Sequence, residues 1–146
     1  MTDTALLLSR LELLSKIQAK IDLSENLRDR VAQKIAALLA LAMEGSDELR
    51  KSVSISVLDR NTHRLAKSVA DSSRMARHLE KMSNRFQRAK DDIPTAPPGR
   101  IDRILNRSLG AYDRVQALLE LQLLDLDAIF DEIEEAIGKP IKPKGN

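Results

Sequence analysis

The apolar positions along the chain recur at helical spacing almost from its start. Leu7, Leu11, Leu14 and Ile21 follow at steps of four, three and seven, and Leu6, Leu13 and Ile17 widen the stripe. This spacing predicts a first helix over about residues 3–21, with a stripe broad enough to touch two neighbours. Asp22 and Glu25 then stand three apart like a capping box, with Ser24 as a rival N-cap. A second helix is expected over about 24–43, carrying Leu27, Val31, Ile35, Leu38, Leu39 and Ala42. Gly45 is placed to end it, and Ser46 to cap a third helix with Asp47 and Glu48 in its first turn.

The third segment spans about 47–90. Ser52 to Val57 alternates polar and apolar like a strand, but the chain offers no second strand to pair with it. Leu49, Val53 and Val57 also fall at steps of four, so helix is expected there, with a break near Asp59 to Asn61 as the alternative. Beyond it Leu58, Thr62, Leu65, Val69, Ser72, Ala76, Leu79, Ser83 and Phe86 alternate steps of four and three. Pro94, Pro97, Pro98 and Gly99 stop the helix. The same rhythm resumes in a fourth segment, about 100–137, through Ile101, Leu105, Ser108, Tyr112, Val115, Leu119, Gln122, Leu126, Ile129 and Ile133. Gly110 weakens this helix without breaking it, and Gly138 and Pro140 end it. Residues 138–146 read as a flexible basic tail.

Two long segments with a heptad rhythm and a short Pro-bearing link predict an antiparallel coiled-coil hairpin. If Asp91 faces Arg100, then Phe86 faces Leu105, Leu79 faces Tyr112, Leu65 faces Leu126 and Ser83 faces Ser108. Val69 against Gln122 is the one poor match. The stretch Glu120 to Glu135 holds seven carboxylates and no Lys or Arg. The same register brings Arg60 near Asp131, Arg64 near Asp127 and Lys67 near Asp125.

The expected fold is therefore all-α: an antiparallel helical bundle with a long coiled-coil hairpin and a shorter N-terminal helical hairpin, forming one domain over 1–137. A hairpin of roughly 30 Å helices cannot cover one of about 55–65 Å, so a homodimer is expected to cover the remainder. Composition narrows the class further. In 146 residues there are five Gly, five Pro and 2% aromatics, few turn-formers for an all-β fold. Zero Cys removes disulfides, thiolate zinc sites and cysteine nucleophiles, and fits a reducing compartment. The start lacks a basic n-region, and the longest apolar run, Ile35 to Met43, is about half a membrane span. No membrane association and a cytoplasmic location are expected.

Little in the sequence points to catalysis. His63 follows Asp59 by four residues but has no accompanying metal-ligand motif, and reads as a surface residue. His78 sits among Arg74, Arg77 and Lys81, on a basic face. Asp127, Asp131 and Glu134 share a helix face but lack the folded loop that calcium sites use. No Ser-His-Asp set, nucleophile elbow or phosphate loop is present. No catalytic residue, cofactor or metal is assigned. The strongest feature is charge at the hairpin turn: Arg74, Arg77, Lys81, Arg85, Arg88, Lys90, Arg100, Arg103 and Arg107 gather there, with Arg114 following. Only Glu80, Asp91, Asp92, Asp102 and Asp113 oppose them. Such an end suits a protein partner or, alternatively, a nucleic-acid phosphate backbone, although Phe86 and Tyr112 occupy seam positions and cannot stack on bases. The sequence thus suggests a non-enzymatic interaction or scaffold protein, with nucleic-acid binding as the alternative.

Overall fold

The computed structural model describes residues 3–44, 51, 53–138 and 140–141. It is all-helical, with no strand among the described residues. Three helices pack against one another: α1 (Asp3–Glu44, 42 residues), α2 (Ile55–Asp92, 38 residues) and α3 (Pro98–Ile137, 40 residues).

Two expectations need correction. The N-terminal hairpin does not exist, because the expected helices over about 3–21 and 24–43 are one helix, α1. Asp22, Ser24 and Glu25 permit a helix to start but cannot force one to stop, and no Gly or Pro lies between Asp3 and Glu44. Gln18 donates to the Asp22 carboxylate across one turn (3.1 Å), and Ser24 is buried in mid-helix. The short hairpin that called for a second copy is thereby removed. The third segment is also interrupted near its start, for Lys51 is helical. Val53 and Ser54 are not helical, and α2 starts at Ile55. Ser54 caps it: its hydroxyl accepts the Val57 N–H (3.4 Å) and its carbonyl accepts the Leu58 N–H (3.0 Å). From there α2 runs unbroken through Asp59 to Asn61. The expected roles of Gly45, Ser46, Asp47 and Glu48 lie outside the described residues, as do Lys139 and residues 142–146.

The remaining ends follow their sequence signals. Pro98 opens α3, and the Pro97 carbonyl accepts from Arg100 and Ile101 N–H. At the other end Gly138 adopts a positive φ of 75° and its N–H returns to the Glu134 carbonyl (2.8 Å), a left-handed stop that suits glycine. The Ile141 N–H donates to the Glu134 carboxylate (2.9 Å).

Packing groups the chain into two compact units, one of residues 1–26 and 75–118, the other of residues 27–74 and 119–146. The core of the first holds Ile17, Ile21, Leu79, Met82, Phe86, Leu105, Tyr112 and Val115. Arg10 ties α1 to α3 there, bonding Asp102 (3.4 Å) and the Pro98 carbonyl (3.3 Å), and Lys20 pairs with Asp113. The core of the second unit holds Leu27, Val31, Ile35, Leu119, Leu126, Ile129 and Phe130. Its α2 seam is turned by one residue from the expected one: Thr62 and Val69 face out, while Asn61 and Ser68 are buried. Polar partners explain this. Asn61 donates to the Val57 carbonyl (3.0 Å) and accepts from Arg64 (3.1 Å), and the Gln122 amide donates to the carbonyl and hydroxyl of Ser68 (2.9 Å each).

Candidate interaction surface

The basic residues singled out in the sequence differ in what they touch. Arg74 belongs to the second unit and pairs with Asp71, one turn before it. The others lie in the first unit, all exposed. Lys90 sits over the Phe86 ring, 5.6 Å from its centre, and Arg103 reaches back to the Gly99 carbonyl (3.4 Å). Arg77, Lys81 and Arg100 make no ion pair among the described residues.

Arg85, Arg88 and Arg107 are different, because a groove of about 820 Å³ brings them together. It runs between α2 and α3 of the first unit. Helical spacing explains its lining. Met82, Arg85 and Ala89 share one side of α2, and Ile104, Arg107, Ala111 and Arg114 share one side of α3. Met82, Ala89, Ile104 and Ala111 supply the apolar part of the lining, Asn106 and Ser108 add polar groups, and the arginines stand exposed around them. Asp92 is the one carboxylate on the lining. Arg114, which completes the set, lies beyond the nine residues expected to make contact; its i, i+7 spacing from Arg107 was the signal. Its guanidinium lies 3.7 Å from where a side chain on Gly110 would begin, an ordinary contact distance. Among the described residues none of Arg85, Arg88, Arg107 and Arg114 makes an ion pair.

The chain matches no family model, curated protein or solved structure.

Tyr112 also lines the groove, yet its hydroxyl is buried without a hydrogen-bond partner. Burial, and then the Glu25 carboxylate on α1, push that phenol above its ordinary range. His63 and His78 are exposed. Among the described residues, no three His, Cys, Asp or Glu side chains are grouped so as to hold a metal ion. No helix among them is long and apolar enough to cross a membrane.

On the outer face of α3, Leu118 and Leu121 are 54% and 59% exposed. Leu7, Leu8 and Leu11 at the start of α1 are also half or more exposed, although Leu7 and Leu11 were expected in the core stripe. Ile17 and Ile21 keep their place in it.

Proposed function

We propose that the protein is a cytoplasmic, non-enzymatic helical interaction protein, a scaffold or adaptor that works as a homo-oligomer and presents its paired helices as a coiled-coil surface. The observation that carries this reading is the exposure of Leu118 and Leu121 midway along α3. Neighbouring leucines on the outer face of a helix that has already buried one stripe against its own chain are apolar surface that a second helix can cover. Charged positions on the same face restrict which helix fits.

A second reading is favoured by a separate observation, the groove arginines without carboxylate partners: binding of a nucleic-acid phosphate backbone. The two readings part on a simple measurement. The interaction reading expects a molar mass above that of the 16.3 kDa monomer, rising with concentration, and no salt-sensitive binding to duplex DNA or RNA. Micromolar nucleic-acid binding that falls steeply between about 50 and 200 mM salt would replace it with the second reading.

A further inference from the structure

The outer face of α3 has an order of which the chain itself pairs only Glu132, with Arg60 and Arg64 of α2, among the described residues. Arg107, Ala111, Arg114 and Leu118 follow at steps of four, three and four, and Leu121, Asp125, Ala128 and Glu132 continue the alternation. This is a second heptad stripe, distinct from the buried one through Leu105, Tyr112, Leu119 and Leu126. None of its eight members is buried. Read outward from the midpoint between Leu119 and Glu120, the stripe is self-complementary. Leu118 mirrors Leu121. Arg114 mirrors Asp125, Ala111 mirrors Ala128, and Arg107 mirrors Glu132.

The geometry points to a two-fold symmetric dimer in which α3 of one copy lies antiparallel on α3 of a second. This rests on the interaction reading above and names its partner: another molecule of this chain. An antiparallel helix pair with its axis at that midpoint places each mirrored residue opposite its counterpart, and does so twice, as an isologous contact requires. Leucine then meets leucine at the centre, and Ala111 meets Ala128 where the helices must come close. Each Arg114 meets an Asp125, and neither residue has an ion pair within its own chain among the described residues. Glu132 already accepts from Arg60 and Arg64, and its two oxygens leave acceptor positions for Arg107 of the second copy. The arginine-lined groove fits the same arrangement. Arg85 and Arg88 flank Arg107 across it, and the segment that would lie along it, Glu120 to Glu135 of the second copy, contains no Lys or Arg. Opposite pairing is attractive, whereas a parallel pairing sets Arg against Arg and Asp against Asp.

Charge exchange tests this on the full chain. Arg114→Asp and Asp125→Arg each place like charges opposite one another twice per dimer, and should each raise the dimer dissociation constant about tenfold or more. The double variant restores both pairs with reversed sense and should return to within a few-fold of wild type. Residues 114 and 125 are about 16 Å apart along one helix, so this rescue cannot arise within a chain. All three variants should keep wild-type helix content, since both side chains are exposed, and should melt like wild type at concentrations where wild type is monomeric. Because the chain has no cysteine, Ala111→Cys mixed with Ala128→Cys gives an independent readout. The mixture should cross-link with a short bismaleimide, and neither variant alone should. A wild-type dimer indifferent to the single exchanges, or singles that the double fails to rescue, would overturn the α3 pairing while leaving self-association intact. A wild type that sediments as a monomer at every concentration would overturn the pairing and the interaction reading together.

Discussion

Lys34 on α1 and Asp127 on α3 form an ion pair whose two ends differ sharply in exposure. The lysine side chain is 1% exposed and the aspartate 30%. Lys34 stands among Val31, Ile35 and Leu38, a run that otherwise buries only apolar side chains. Water can still solvate the carboxylate but not the ammonium, so the pair is held for the lysine's sake.

The two single truncations should therefore have unequal costs. Asp127→Ala leaves a buried ammonium without a counter-charge and should cost about 3–5 kcal/mol. Lys34→Met keeps the length, fills the same space and leaves a carboxylate that water reaches, so it should cost about 1 kcal/mol or less. Urea unfolding of both variants checks this; equal losses would show that the pair, not the buried end, sets the cost.

Sequence pattern revealed more of the fold than of the site. The breaks at Pro94 to Pro98 and at Gly138 were legible because Pro and Gly impose backbone limits that no tertiary contact overrides. The continuity of α1 was not, because Asp22, Ser24 and Glu25 have the chemistry of a cap and only packing decides whether a cap is used. The partner of Asp127 was missed for the same reason: Arg64 seemed nearest in a two-helix register, but α1, treated as part of a separate hairpin, supplies Lys34 instead. Arg64 pairs with Glu132. Charge at the hairpin turn was visible in the sequence. That Arg85, Arg88, Arg107 and Arg114 share a groove, and Arg77 and Lys81 do not, depends on which side of each helix faces the neighbour.

Ser24 offers a test of the uninterrupted α1. Its hydroxyl is buried in mid-helix with no hydrogen-bond partner. Ser24→Ala should remove a desolvated polar group and raise helix propensity, stabilising the protein by roughly 0.5–1.5 kcal/mol. If Ser24 were instead an N-cap, the same change would destabilise by about 1 kcal/mol. The sign of the shift in melting temperature decides.

The turned seam of α2 makes a graded series. Leu126 is fully buried, Leu65 is half-buried and Val69 is 38% exposed. Aspartate at Leu126 should cost about 4 kcal/mol or more, at Leu65 an intermediate amount, and at Val69 no more than about 1 kcal/mol. Ser68→Val should cost about 1–3 kcal/mol, because it leaves the Gln122 amide short of an acceptor. Thermal melting of the four variants orders them; a Val69→Asp variant as damaged as Leu126→Asp would restore the unturned seam.

Tyr112 should make the folded protein less stable at alkaline pH. Its ring is buried, its hydroxyl has no partner, and burial followed by the Glu25 charge raises its ionisation above the ordinary value of 10.0. In the unfolded chain the phenol ionises at that ordinary value. Between the two values the folded state holds a proton that the unfolded state has released, so unfolding becomes more favourable as pH rises. The contribution is fully present below pH 10.0 and declines above it as pH climbs through the folded-state value. Tyr112→Phe removes the titrating group and loses no hydrogen bond, since none is made. At neutral pH the variant should be as stable as wild type or slightly more so. Above pH 10.0 wild type should lose stability faster than the variant, and the gap between their urea midpoints should widen until pH has passed the folded-state value. Parallel decline of the two proteins would mean that another group sets the alkaline limit and that the phenol titrates alike in both states.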